Sequence, residues 1–298
     1  MSDRAIINLF IWPTLILLIL MNIFPLVYSL YLSFTEYSAI AHKVPIWVGF
    51  QNFADLLNDE LMWKYFATTG KYALLTVVLQ TVLGFGLAML VHEKFKGSGL
   101  ITTLILIPMM LSPVVVGLFW KLMYNPSFGY FNYLAGFDNP LRAPDMLASS
   151  FARTAVPGLA LYSVVLVDVW MWTPFVMLLV LSGLKAIPDY LYEAAAIDRA
   201  SSWFQFWRIT VPQVAPLLMI AILFRTIEAF KSFDLVMGMT GGGPGDQTEL
   251  IAVNLYRQAF LGQWQTGRSS ALAYMILIII IAVSNLYILY LNRMRGEA

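Results

Sequence analysis

An all-α integral membrane protein with six transmembrane helices is predicted by three observations. Of 298 residues, 60% are hydrophobic, only 12% are charged, and the apolar residues gather in six long runs. Soluble globular chains carry about 25% charged residues and roughly half apolar ones. The mean hydropathy of +0.74 points the same way. Crossing about 30 Å of hydrocarbon takes roughly 20 apolar residues at helical rise. The runs cover approximately residues 9–32, 72–91, 100–123, 159–184, 214–230 and 272–291. A membrane β-barrel would need strand-length segments of alternating polarity, whereas these runs are continuous and rich in Leu, Ile and Val.

The first run follows Arg4 and continues well past the 7 to 15 residues of a signal-peptide core, without a small-residue cleavage site, so it is read as a retained span. The third contains Pro108 and Pro113, which predict a kink. The fourth contains Pro174, whose missing N–H leaves carbonyl groups available at membrane depth. No span-sized repeat and no flexible linker is visible, so residues 1–298 read as a single transmembrane domain with one polar interruption at about 185–213.

The chain has no cysteine, which excludes disulfides, thiolate chemistry and cysteine metal sites, and its net charge of +1 gives no bulk attraction to nucleic acid or anionic lipid. Lys and Arg concentrate on the cytoplasmic side of span ends. With an even number of spans, Arg4, Lys94, Lys96, Lys185, Arg199, Arg208, Arg293 and Arg295 share one side with both termini. Lys43, Lys64, Lys71, Lys121, Arg142, Arg153, Lys231, Arg257 and Arg268 lie on the other, spread over much longer loops. Charge density therefore favours cytoplasmic termini, and places the 185–213 loop in the cytoplasm.

Within that loop, Pro188 suits a first helical turn and Asp189 complements the positive end of the helix dipole, predicting a short helix over 190–197. Asp198-Arg199-Ala200-Ser201-Ser202 forms a break, with Ser202 as N-cap of a second helix that ends before Pro212. Two readings are open on physical grounds: an interfacial hairpin held by its aromatic residues, or a docking site for a soluble partner.

Charged groups inside spans are expensive in lipid and mark bundle interiors or transport paths. Asp168, Trp172 and Phe175 fall at i, i+4 and i+7 on one face of the fourth span, and Arg225, Glu228 and Ser232 at i, i+3 and i+7 on the fifth. One reading makes Arg225 and Glu228 a self-neutralising i,i+3 pair, with Asp168 joining it. The other makes both faces line a transport path, with Asp168, Arg225 and Glu228 offering hydrogen bonds to a polar solute and Trp172 and Phe175 offering ring faces. Arg225 also suits an anionic oxygen cluster, which keeps an anionic solute in view beside neutral ones.

The segment Glu193-Ala-Ala-Ala-Ile-Asp198-Arg-Ala200, followed by Phe206, Ile209 and Pro212, resembles the EAA loop of permease subunits from binding-protein-dependent ABC importers. Pro25-Leu-Val-Tyr-Ser-Leu-Tyr-Leu-Ser-Phe34, Val48-Gly-Phe-Gln-Asn-Phe53, Trp120 with Asn125-Pro126 and Gly129, Pro174-Phe175 and Thr240-Gly-Gly-Gly-Pro244 are similar to the sugar-permease branch. The resemblance implies a maltose-type permease fold in the inner membrane, a second permease subunit, two ATP-binding subunits carrying ATP and Mg, and an extracytoplasmic solute-binding protein. It implies no covalent chemistry on this chain. It makes Glu193, Ala194, Ala195, Asp198, Arg199, Ala200 and Phe206 the ATPase-coupling residues, and the stretches around Asp168–Phe175 and Arg225–Ser232 the sugar site. Arg199 stands where the family usually has glycine, so the bend there needs its own explanation.

Gly241-Gly-Gly-Pro-Gly245 lacks the Gly-Lys-Ser/Thr ending of a phosphate-binding loop, and reads as an external turn that fixes the exit of the fifth span. Neither His42 nor His92, the latter beside Glu93, has a second histidine or a cysteine near it in sequence, which disfavours metal binding, and the methionines read as gap fillers between helices. The alternative function is an ion-coupled secondary transporter using Asp168 and Glu228, which leaves the EAA-like loop without a role.

Overall fold

The computed structural model describes residues 3–41, 44–93, 95–125, 129–130, 159–261 and 264–296. His42, Lys43, Lys94, Pro126, Arg142 and Arg153 of the sequence reading lie outside them. In chain order the helices are α1 (Asp3–Leu18), α2 (Phe24–Ser33), α3 (Gln51–Asn58), α4 (Glu60–His92), α5 (Ser98–Leu106), α6 (Pro113–Met123) and α7 (Leu159–Ala186). They continue with α8 (Asp189–Ile197), α9 (Ser202–Gln205), α10 (Val211–Phe230), α11 (Asp234–Met239), α12 (Ile251–Phe260) and α13 (Thr266–Gly296). A two-stranded antiparallel hairpin pairs β1 (Thr35–Glu36) with β2 (Ile46–Trp47).

Among the described residues, five helical stretches are long and apolar enough to span: Phe10–Ser33, Glu60–His92, Leu159–Ala186, Ser202–Phe230 and Thr266–Leu289. The remaining predicted span, the third, is split. Helix α5 passes into a 3-10 turn at Pro108–Met110, the backbone extends at Leu111 and Ser112, and α6 restarts at Pro113. A break replaces the expected kink because Pro113 disfavours helical geometry at Ser112 and, like Pro108, removes a backbone donor.

Contacts divide the chain into two compact units, a finer grain than the single domain read from the sequence: Met1–Trp63 with Asn254–Ile279, and Lys64–Val253 with Ile280–Ala298. In the first, Asn52 Nδ2 donates to the Ser33 and Thr35 carbonyls at 2.9 Å each, and Arg268 pairs with Asp59 at 2.7 Å. The second holds two apolar clusters. One joins Tyr72, Val77, Val116, Trp120, Val164, Met171, Leu235 and Met239; the other joins Ala88, Val176, Met177, Val180, Leu184 and Val214.

Small residues allow the close crossings. A Cβ on Gly84 of α4 would stand 2.7 Å from Val176 Cβ of α7, and one on Gly117 of α6 would stand 2.9 Å from the Leu235 carbonyl oxygen of α11. Lipid gives helices no hydrophobic reason to associate, so such backbone approach and its dispersion contacts carry the packing.

Candidate functional site

Helix α7 is buried along most of its length, and its one acidic group must find partners inside the protein. Asp168 is 4% exposed and Arg225 of α10 is 3% exposed. Arg225 Nη2 donates to Asp168 Oδ2 at 3.0 Å, and Gln80 Nε2 of α4 donates to the same oxygen at 2.8 Å. Arg225 Nε donates to Gln80 Oε1 at 2.8 Å, which closes a three-residue ring across three helices. Gln80 Nε2 also reaches the Asp168 carbonyl at 3.1 Å. An unpaired charge at this depth costs several kcal/mol, whereas a pair with its hydrogen-bonding capacity taken up is tolerated.

The ring extends on both sides. The Arg225 guanidinium carbon stands 4.8 Å from the centroid of the Trp172 ring, an arrangement that favours the cation through the ring's negative face. The fully buried Tyr72 bonds its hydroxyl to Ser232 Oγ at 3.1 Å. Trp172, Phe175 and Ser232 are half-buried, and Phe175 packs against the second apolar cluster. Glu228 is exposed and pairs with Lys231 at 2.8 Å instead of with Arg225. The geometry therefore separates the i,i+3 pair considered from sequence: Arg225 belongs to Asp168 and Gln80, and Glu228 to Lys231.

Tyr72 and Gln80 are the site residues that sequence reasoning missed. The signal was available, since Thr69, Tyr72, Thr76 and Gln80 fall at i, i+3, i+7 and i+11 on α4 and all four are fully buried. A polar stripe within an apolar run marks an interior face as surely as the charges on α7 and α10 do.

The second candidate region follows α7. Pro188 is the N-cap of α8, and α8 ends in a left-handed residue, Arg199, at φ 55°. The Arg199 amide donates to the Ala196 carbonyl at 3.1 Å and the Ala200 amide to the Ala195 carbonyl at 2.9 Å. That pair of bonds is the Schellman termination, normally made by glycine. The bend thus survives with arginine in the glycine position. Ser201, not the expected Ser202, caps α9, its hydroxyl accepting from the Phe204 amide at 3.2 Å. The helix also does not stop before Pro212. It runs through a π turn at Phe206–Thr210 into α10, because a wide turn just before the proline relieves the clash its ring makes with the carbonyl four residues earlier.

Glu193, Ala194, Asp198 and Arg199 are exposed, with Ala195 and Ala200 half-buried. Phe206 is half-buried and turned inward, its ring 5.7 Å from Phe85 of α4 in edge-on contact. Tyr192 and Thr210 share a hydrogen bond of 2.9 Å that ties α8 to the π turn. The most exposed large apolar side chain of the loop is Ile197, at 83%, and Trp203 is 71% exposed.

The Gly241–Gly245 turn has positive φ at Gly241, Gly242 and Gly245. Thr248 Oγ1 donates to the Gly243 carbonyl at 2.7 Å, and Asp246 pairs with Lys64 at 2.6 Å. This is a braced turn after α11, without the lysine and hydroxyl a phosphate loop requires.

Apolar helices crossing at small residues around a buried ionic ring, with an exposed two-helix loop between two spans, define a helical integral membrane protein with a polar centre. The family model described as "Binding-protein-dependent transport system inner membrane component" matches residues 80–296. The chain belongs to that family, and is an inner-membrane permease, not an enzyme. It is 32% identical over 280 residues, 94% of this chain and 91% of the relative, to the trehalose/maltose transport system permease protein MalF of Thermococcus litoralis. It is 35% identical over 290 residues, 94% and 89% of the two chains, to the probable ABC transporter permease protein y4oQ of Sinorhizobium fredii. A bacterial ABC transporter that imports the acidic polysaccharide alginate contains a chain of the same fold, with TM-score 0.81, 20% identity, and coverage of 98% of this chain and 96% of that one.

Proposed function

We propose that this chain is the permease subunit of an ATP-driven carbohydrate importer, working by alternating access with both termini in the cytoplasm. A solute-binding protein delivers the sugar externally, and two ATP-binding subunits, which hold ATP and Mg, drive the spans through the 185–213 loop. A second permease subunit completes the path. The observation that carries the reading is the loop itself: an exposed helix bearing Glu193, a Schellman bend at Arg199 and a return helix continuous with α10. A push on α9 is transmitted to α10 without a break, because the π turn keeps the chain helical from Ser202 to Phe230, and the Tyr192–Thr210 hydrogen bond ties α8 to that helix across the bend.

In this reading Glu193, Ala194, Ala195, Asp198, Arg199 and Ala200 meet the ATPase, joined by Ile197, while Phe206 seats the loop against α4. The carbohydrate site is formed around Asp168, Trp172, Phe175, Arg225, Glu228 and Ser232, with a division of roles. Trp172 and Phe175 offer ring faces, Glu228 and Ser232 offer hydrogen bonds, and Asp168 with Arg225 and Gln80 holds α4, α7 and α10 in register behind them. Relatives named for trehalose and maltose transport support the substrate class.

The test is sugar uptake by vesicles containing the chain with its partner subunits. Uptake that requires ATP and stops when the ATPase is inactivated supports the proposal. Uptake driven by a proton or sodium gradient without ATP refutes it.

A further inference from the structure

The one guanidinium in the ring is already matched by one carboxylate, and that balance has a consequence for substrate charge. We infer that this permease selects uncharged carbohydrate, and that Asp168 is the residue that sets the selection. The inference rests on the carbohydrate reading above and names the substrate class within it.

Arg225 alone would make the surroundings of Trp172 strongly attractive to an acidic sugar. Its guanidinium lies 4.8 Å from the centroid of the Trp172 ring, which the proposed site offers to the sugar. Asp168 Oδ2, 3.0 Å from Arg225 Nη2, removes that net charge, and Gln80 engages both partners without adding any. The nearby Glu228 is offset in the same way by Lys231 at 2.8 Å. The charges of the proposed site are thus matched within 3 Å, Arg225 by Asp168 and Glu228 by Lys231, and what they leave to a ligand is hydrogen-bonding capacity beside the Trp172 and Phe175 rings. A carboxylate entering there sheds hydration and gains no counter-charge, whereas a neutral hydroxyl-bearing ring exchanges water for equivalent partners.

The magnitude follows from distance. A charge on a sugar stacked against the free face of Trp172 sits roughly 8 to 9 Å from the guanidinium, and at an effective dielectric constant of about 20 an unopposed pair there shifts affinity by about thirtyfold. Asp168→Asn keeps the shape of the side chain and unmasks that charge. Gln80→Glu added to it restores the balance, because Arg225 Nε already points at the Gln80 side-chain oxygen.

The experiment compares equilibrium binding of p-nitrophenyl glucoside and p-nitrophenyl glucuronide, which differ only at C6, a hydroxymethyl group in one and a carboxylate in the other, to the assembled transporter in nanodiscs without its binding protein. Wild type is expected to favour the glucoside. Asp168→Asn is expected to move the preference at least tenfold toward the glucuronide, and Asp168→Asn with Gln80→Glu to return it. Should Asp168→Asn fail to assemble, Gln80→Glu alone must move the preference further toward the glucoside. A wild-type preference for the glucuronide, or a ratio unmoved in an assembled variant, overturns the inference and leaves the carbohydrate reading standing. Failure of wild type to bind either probe, with no ATP-dependent uptake of any sugar, overturns the carbohydrate reading itself.

Discussion

Replacing Arg199 by glycine is expected to strengthen the bend that links α8 to α9. The left-handed conformation at φ 55° brings an L-residue's Cβ against the following carbonyl oxygen, which costs about 1–2 kcal/mol. Glycine avoids that contact but loses more backbone freedom on ordering, returning roughly 0.5–1 kcal/mol of the gain. The net is about 1 kcal/mol in favour of Arg199→Gly, or about a fivefold lower population of the opened bend. Hydrogen–deuterium exchange in the assembled transporter reads this directly, because the Ala200 amide is held by the Ala195 carbonyl at 2.9 Å only while the bend is closed. The peptide containing Ala200 should exchange about fivefold more slowly in Arg199→Gly. In Arg199→Val, where a β-branched side chain meets the same positive φ, exchange should be faster than in wild type. Equal or faster exchange in the glycine variant, together with no change in the valine variant, would refute the reasoning that backbone strain at this residue limits the loop.

Other substitutions test other parts of the structure. Asp168→Ala strands Arg225 in the protein interior and should destabilise the permease by about 3–5 kcal/mol, read as a fall in thermal midpoint of the purified complex. Gly117→Val would push a side chain into the Leu235 carbonyl oxygen and Gly238, and should cost roughly 1–3 kcal/mol by the same measurement. Lys64→Ala removes only a half-exposed pair with Asp246 and should cost about 1 kcal/mol or less. Glu193→Ala should abolish ATP-driven uptake while leaving the permease folded, which size-exclusion chromatography of the solubilised subunit checks.

Span positions were legible because hydropathy accumulates residue by residue along the chain, and five of the six runs coincide with long apolar helices. The exception was equally instructive. Pro108 and Pro113 announced a distortion, but whether two prolines bend a helix or break it depends on what neighbouring helices do with the freed backbone groups. At Pro212 the error ran the other way, since a π turn carried the helix through a residue that reads as a stop. The faces bearing Asp168 and Arg225 were visible from helical spacing. Gln80 carries no charge, and the cost of burying a charge was the signal that marked Asp168 and Arg225; its own signal lay in the polar stripe it shares with Thr69, Tyr72 and Thr76.

By itself the sequence determined the class of protein, the helical spans, the family carried by the Glu193 loop, and the set of ionisable groups the membrane would not tolerate unpaired. The tertiary structure alone decided which groups pair. The sequence offered Arg225 two carboxylates, Glu228 on its own helix and Asp168 on another; in the fold it pairs with Asp168 and Gln80, and Glu228 goes to Lys231. The reason is geometric: period 3.6 fixes the direction a side chain takes from its own helix, while the identity of the group it meets depends on which helices lie beside it. The same distinction holds at Arg199, where the sequence showed a missing glycine and the folded backbone showed the Schellman bonds that hold an arginine in its place.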